Sequence, residues 1–233
     1  MTSAHVAGVE TLSDTGVAGE AAPAEMRADA ARNRQRLLMA ARQAFEAYGP
    51  AVPLEVIARR AGVGIGTLYR HFPERRRLVG AVAAEALMRT TAALRGAVAE
   101  EPDAFSALRR YLHAALDSGV GAVMPLLDDE VGEDEEVMRL RDENAKLQAT
   151  LLERAKREKS LRPGVEFGDI GLAVARFSRP IGFGFAPDLD AQVGHRHLDV
   201  FIDGLHAGCS PRRLRGPALT LARLRAMKGR PDA

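Results

Sequence analysis

Tryptophan is absent from this chain of 233 residues, and there is one cysteine and four lysines against 29 arginines. The single cysteine, Cys209, excludes a disulfide bond within the chain and gives no sign of an oxidising compartment. No run approaches the ~18–20 apolar residues of a membrane span. The first 26 residues contain no arginine or lysine and do not resemble a signal peptide. We therefore expect a soluble, cytoplasmic protein without a membrane partner.

Charge is distributed unevenly along the chain. Residues 33–80 hold nine arginines and three glutamates, and residues 209–233 hold six arginines, one lysine and one aspartate. Residues 128–136 hold seven acidic residues and no basic one, although the formal net charge of the whole chain is only +2. The acidic run lacks the alternate-residue ligand spacing of a calcium-binding loop. A solvated linker is the favoured interpretation.

Residues 54–80 have the pattern of two short helices joined by a tight turn. The first helix is expected to end at Gly62, because glycine tolerates the left-handed conformation common at helix C-termini. The second helix is expected to bury Ile65, Leu68 and Phe72 at i, i+3 and i+7. Its other face presents polar side chains on a helix narrow enough for a major groove. The pattern predicts a helix-turn-helix with a recognition helix.

The polar face of this second helix and the basic turn after it supply the predicted DNA-binding residues. Thr67 and Arg70 suit base edges, and Gly66 permits a close approach of the backbone. Cations in the first turn of the next helix oppose the helix dipole, which indicates an external anion such as a DNA phosphate. A merely solvated surface is the alternative. The predicted set is Gly66, Thr67, Tyr69, Arg70, His71, Arg75, Arg76 and Arg77.

These residues resemble the tetracycline-repressor (TetR) family of bacterial transcription regulators. The matching pieces are residues 57–63, residues 66–72 and the preceding helix at 36–49. Agreement of several constrained positions in order and spacing makes the match specific, although it covers only residues 33–80 or so. The rest of the chain matches in length and helical layout.

Two positions depart from the family pattern. Pro53 stands where the family usually has a capping Ser or Thr, although proline suits a first helical turn. Arg75 and Arg76 replace a usual Lys-Glu pair, so one charge is kept and the other is reversed. By resemblance, Tyr69 and Arg75 are phosphate contacts. We expect stronger binding to the DNA backbone than is usual in the family.

Beyond residue 80 every pattern is helical, and we find neither the alternation of strands nor an internal repeat. The predicted fold is all-α, with a first helix from about residue 32 to Gly49 and a fourth from Glu74 to about Ala99. The predicted order is a disordered tail (1–28), a three-helix helix-turn-helix domain (29–80), a helical regulatory and dimerisation domain (81–208) and a basic C-terminal tail (209–233) that is partly helical.

By resemblance, the C-terminal part of such a chain holds a ligand pocket and pairs its last two core helices with those of a second copy. The wide apolar face of the last core helix predicts a dimer interface of Leu198, Phe201, Ile202 and Leu205. Few polar groups are interleaved, so a bulky, mostly apolar ligand fits best. For each predicted pocket residue, the alternative is a place in the ordinary core. The predicted pocket residues are Leu87, Leu112, Leu116, Met124, Leu147, Leu151, Val174 and Phe177.

We find no sequence signature of catalysis, of a metal site or of a cofactor. His195 and His197 are two residues apart, whereas helical zinc pairs use a spacing of four. We therefore predict not an enzyme but a homodimeric, ligand-responsive regulator that binds a pseudo-palindromic operator in double-stranded DNA. Repression is implied by the resemblance alone. Two alternatives remain: a helical small-molecule-binding protein or enzyme with an incidental helix-turn-helix, and an architectural DNA-binding protein without a ligand.

Overall fold

The computed structural model describes residues 18–49, 51–124, 134–179, 186–209 and 213–228. Within these ranges every regular element is a helix, apart from an isolated β-bridge between Leu161 and His206, so the all-α prediction is confirmed. The helices are α1 (Ala18–Tyr48), α2 (Leu54–Arg60), α3 (Ile65–His71), α4 (Arg75–Glu100), α5 (Ala104–Asp117), α6 (Val120–Val123), α7 (Glu135–Arg157), α8 (Phe167–Phe177), α9 (Pro187–Leu205) and α10 (Leu221–Lys228).

Helix α1 begins well before the predicted start. Residues 18–28 are helical, so the prediction of an irregular tail is wrong for them, and residues 1–17 lie outside the described ranges. Residues 18–31 contain seven alanines, the residue with the highest helix propensity. Apolar periodicity does not detect a helix that is stabilised by propensity rather than by a buried face.

The turn between α2 and α3 forms as the sequence predicts. Gly62 has φ +67°, and Val63 N–H donates to Ala58 C=O at 3.0 Å, which closes the end of α2. Pro53 precedes α2 rather than lying in its first turn, and its carbonyl accepts from Val56 N–H at 3.1 Å. No side chain caps α2, as the missing Ser or Thr leads one to expect.

Helix α4 connects the two parts of the molecule. It runs without a break over 26 residues, about 39 Å at ~1.5 Å per residue. Leu78 and Val82 lie in a core shared with α1–α3, whereas Leu94 and Ala97 lie in the core of the body. Leu87 belongs to the first core, together with Val123 and Val137 of the body. The head and the body therefore share packed side chains along α4.

Helix α7 begins inside the acidic run. The Asp134 carboxylate accepts from Glu136 N–H at 3.1 Å and from Val137 N–H at 3.2 Å, which caps the helix. Glu135 and Glu136 then lie in the first turn, where the helix dipole favours negative charge. The last three acidic residues therefore start a helix, while residues 128–133 lie outside the described ranges.

Among the described helices, none combines the length and hydropathy that crossing a bilayer requires.

Candidate nucleic-acid interface and internal cavity

Helix α3 is anchored by Leu68 and Phe72, which are buried against α1 and α2. Ile65 is 38% exposed, so the prediction that it is buried is wrong. It is the first residue of a helix only seven residues long, and it does not belong to the core that Leu68 and Phe72 enter. An apolar side chain thus stands on the outer surface of the predicted recognition helix.

The predicted DNA-binding residues of α3 lie on one outward face. Gly66 and Arg70 are exposed, Tyr69 is 46% exposed, and Thr67 and His71 are half-buried. The space above Gly66 is open, with no heavy atom within 4 Å of where a Cβ would lie. The face therefore combines aromatic, hydroxyl and cationic groups with a stretch of accessible backbone.

The arginines at the start of α4 differ in their surroundings. Arg75 Nη1 donates to Val52 C=O at 2.7 Å, and its guanidinium lies 5.7 Å from the Phe45 ring centroid. Arg76 pairs with Glu74, which lowers the pKa of the Glu74 carboxyl. Both arginines thus have a partner within the protein, and their contact with DNA phosphates stays a prediction. Arg77 is exposed and borders a surface groove.

We expect Arg75→Ala to lower the free energy of unfolding by about 1–3 kcal/mol, because it removes a charged donor from the carbonyl of buried Val52. Arg76→Ala is the matched control, since an exposed ion pair contributes only ~0–1 kcal/mol. Urea unfolding of both variants measures the difference. Equal stabilities would contradict a structural role for Arg75.

A cavity of about 460 Å³ lies inside the body, bordered by α4–α8 and by α10. Four predicted pocket residues, Leu87, Leu112, Met124 and Val174, are on its wall. Four others belong to, or pack against, the body core away from the wall, so the structure does not bring the predicted set together: Leu116, Leu147, Leu151 and Phe177.

Polar side chains gather on one side of this mostly apolar cavity. Asn144 is 4% exposed, and its amide donates to Thr91 Oγ1 at 2.9 Å and to Thr90 Oγ1 at 3.4 Å. Its carbonyl accepts from the Gln148 amide, and the Tyr111 hydroxyl shares a hydrogen bond with its side chain. Burial raises the pKa of the Tyr111 phenol, so this group stays neutral at physiological pH. We call Thr90, Thr91, Tyr111, Asn144 and Gln148 the polar cluster.

Sequence reasoning missed the polar cluster, although one signal for it was present. In α7, Val137, Leu140, Leu147 and Leu151 follow a heptad-like apolar repeat, and Asn144 occupies a position in that repeat. A polar residue in an apolar register indicates a buried hydrogen-bonding site. Arg141, Leu221 and Leu224, which also line the cavity, had no comparable signal.

The predicted dimer residues lie mostly inside the protomer. Leu198 and Ile202 are fully buried and Leu205 nearly so, all in the body core, while Phe201 is half-buried with its ring 5.7 Å from that of Phe177. Assigning Leu198, Ile202 and Leu205 to a dimer interface is therefore wrong, because the core of their own protomer already covers them, while the assignment of half-buried Phe201 stays a prediction. The opposite side of α9 is open: Val200 is 70% and Leu189 46% exposed.

His195 takes part in a contact between α5 and α9. Its Nδ1 lies 2.8 Å from Nδ1 of His113, and its Nε2 lies 2.8 Å from the Asp117 carboxylate. The two rings stack at 5.1 Å, and His113 Nε2 faces Asp199 at 3.2 Å. These ring nitrogens fasten α9 to α5. Within the described ranges, no group of three or more His, Cys, Asp or Glu side chains is placed to hold a metal ion.

Comparison with known proteins gives a consistent result. The sequence profile of bacterial regulatory proteins of the tetR family matches residues 37–82. A TetR transcription regulatory protein from Mycobacterium vanbaalenii is 32% identical, with 78% of this chain and 99% of that chain covered and a TM-score of 0.47. No curated protein matches the sequence.

Two further solved structures share the fold. The ketosteroid transcriptional regulator KstR2 of Mycobacterium tuberculosis has a TM-score of 0.51 at 22% identity, over 74% of this chain and 94% of that chain. The TetR-like regulator LfrR of Mycobacterium smegmatis, solved with proflavine, has a TM-score of 0.51 at 23% identity, over 72% and 94%.

Proposed function

This chain belongs to the tetR family of bacterial regulatory proteins, and we propose on that premise that it is a homodimeric repressor released from its operator by an apolar small molecule. Family membership makes it a DNA-binding transcription regulator. Repression, the dimer and the effector are parts of the proposal. The observation that carries it is the continuity of α4, which begins beside the outward face of α3 and passes the cavity at Leu87.

The outward face of α3 supports a model in which some of its residues contact base edges and others contact phosphates. Arg70 and Thr67 are suited to donor and acceptor groups of base edges, and exposed Ile65 is suited to a thymine methyl group. Tyr69 and Arg77 are better placed for phosphates, because they flank this face at its edge and at the start of α4. Arg75 also stabilises the head, because its guanidinium donates to Val52 C=O.

We expect Arg70→Ala to cost about 1–3 kcal/mol of binding free energy and to relax the preference at one base position. Arg77→Ala should weaken binding to all sequences alike and reduce the salt slope by about one ion. Binding is measured on operator and unrelated DNA across a salt titration. The assignment fails if Arg77→Ala changes the preferred sequence while the salt slope stays constant.

The open side of α9 supports the dimer. Leu189, Val193, Val200 and Gly204 fall on one helical face, opposite the buried Leu198. No heavy atom lies within 4 Å of where a Gly204 Cβ would be, so a second helix can approach closely there. Two such protomers present two copies of α3 to half-sites about one turn apart, near ~34–36 Å.

The cavity supports an effector that is apolar over most of its surface and carries a hydrogen-bonding group. Its volume, about 460 Å³, lies in the range of ~300–1,000 Å³ typical of small-molecule sites. In LfrR the same fold is observed with the small molecule proflavine. Thr90 and Thr91, in α4, accept hydrogen bonds from the amide of Asn144, which lines the cavity. A ligand that prefers a displaced α4 would shift the population toward a spacing that fits both half-sites poorly.

The proposal is tested by selecting bound sequences from random double-stranded DNA with the purified protein. We expect enrichment of a pseudo-palindrome whose half-sites lie one turn apart. Enrichment of a single half-site would exclude the dimeric operator complex, and no enrichment would exclude sequence-specific regulation. An apolar compound collection is then screened for molecules that both raise the melting temperature and release the selected DNA.

A further inference from the structure

The C-terminal segment, residues 213–228, supplies part of the cavity wall. Leu221 and Leu224, in the first turn of α10, both line the cavity. Thr220 starts this helix, because its hydroxyl accepts from Arg223 N–H at 3.2 Å and its carbonyl accepts from Leu224 N–H at 3.0 Å. The segment thus contains a helix in contact with the cavity, whereas the sequence predicted a basic, partly helical tail separate from the body.

A backbone hydrogen bond holds the segment to α8. Gly168 N–H donates to Leu219 C=O at 2.7 Å. Gly168 lies in the first turn of α8, where backbone N–H groups have no partner within the helix. Glu166 and Asp169 form a reciprocal capping box that satisfies other N–H groups of this turn. Leu219 therefore provides the partner that the helix itself cannot give to Gly168.

Close packing at Gly168 has no room for a larger residue. A Cβ there would lie 2.5 Å from Leu219 O, 2.7 Å from Leu219 Cβ and 2.8 Å from Leu224 Cδ1. Three residues along the same helix, a Cβ on Gly171 would meet nothing nearer than the Phe167 ring at 4.0 Å. The contrast shows that the segment is seated specifically on Gly168.

The rest of the segment has few buried contacts that would prevent it from detaching from Gly168. Arg213, Arg215 and Arg223 are exposed, and Leu214 is 42% exposed. Segments with few buried apolar contacts and exposed polar groups open without unfolding of the domain. The body core, which contains Leu112 and Leu198, does not include the segment.

We propose that residues 213–228 are a lid over the effector cavity, which lifts from Gly168 to admit an apolar ligand and closes on it through Leu221 and Leu224. This inference rests on the proposed effector role of the cavity. The lid makes the C-terminal segment part of the site, so the segment sets both the rate of ligand entry and the shape of ligand that is retained.

The test compares Gly168→Ala with Gly171→Ala in the full chain, since both changes raise helix propensity equally and only the first displaces Leu219. The uncharged dye Nile red reports entry by stopped-flow fluorescence, and trypsin cleavage after Arg223 reports lifting of the segment. We expect Gly168→Ala to accelerate both by about tenfold or more, the order of effect of a core clash on an equilibrium. Gly171 also lines the cavity, but a methyl group added there makes no clash, so Gly171→Ala should leave cleavage after Arg223 within about twofold of the parent.

A second variant, Leu221→Ser with Leu224→Ser, leaves α8 untouched and protects the test against misfolding at Gly168. It should speed dye entry, weaken dye retention and accelerate hydrogen exchange at the Gly168 amide. If both variants show the parent's rates of dye entry, trypsin cleavage and hydrogen exchange, the lid proposal is rejected and the effector cavity is unaffected. If neither the parent nor any variant binds the dye, both the lid and the effector cavity are rejected; the DNA selection tests the regulator independently.

Discussion

Replacing Leu189 and Val200 by glutamate should produce a folded monomer that binds the operator at least ~100-fold more weakly than the parent, because joining two binding heads multiplies affinity by about 10²–10⁴. Both side chains are exposed on the open face of α9, at 46% and 70%. Glutamate has a higher helix propensity than valine, and at Leu189 it enters a first turn where the dipole favours it. The fold itself should therefore be preserved.

Val98→Glu is the matched control, because Val98 is also an exposed helical valine but lies on α4. Sedimentation at micromolar concentration should give a dimer for the parent and for this control, and a monomer for the double variant. Gel-shift titration on the selected operator then measures the loss of affinity. A native protein that sediments as a monomer would falsify the two-half-site arrangement.

Replacing Asn144 by leucine should lower the free energy of unfolding by about 2–4 kcal/mol, because partners left unpaired in the interior cost ~1–3 kcal/mol each. The change removes the donor to Thr91 and the acceptor for Gln148, and it leaves the neutral hydroxyl of Tyr111 buried. For a chain of this size the melting temperature should fall by roughly 6–12 °C, at ~2–4 °C per kcal/mol.

Asn33→Leu is the control, since Asn33 is only half-buried in α1, pairs with Arg36 three residues away, and is the other asparagine of the chain. Its effect should stay within about 0.5 kcal/mol, as for most surface substitutions. Calorimetry on both variants measures the difference, and the same proteins can be titrated with an effector once one is found. Equal melting temperatures would mean that the polar cluster is solvated and does not stabilise the body.

The helix-turn-helix could be predicted because its determinants are local. Gly62 permits the left-handed turn, and Leu68 and Phe72 lie one turn apart on the face that packs on α1. All of these constraints fall within about twenty residues of one another. The bounds of α4 followed for the same reason, with Glu74 predicted as its start and Arg75 observed.

Contacts between residues that are far apart in the sequence could not be predicted from such local patterns. Helix α9 carries apolar residues on two sides, and only packing against α5 decides that Leu198 and Ile202 are inside while Val200 is outside. Arg75 and Arg77 carry the same charge, but their surroundings differ. Arg75 donates a hydrogen bond to Val52 C=O, whereas Arg77 is exposed beside a surface groove. Periodicity gives the orientation of a side chain around its own helix, not the neighbour that it meets.

The sequence by itself determined the all-α class, the DNA-binding head and the family, because helical periodicity, glycine turns and a compact motif are encoded by neighbouring residues. Tertiary structure decided which residues line the cavity, which side of α9 is free, and that the basic C-terminal segment rests on Gly168. Each of these depends on contacts between residues tens of positions apart, whose geometry is fixed only when the helices pack.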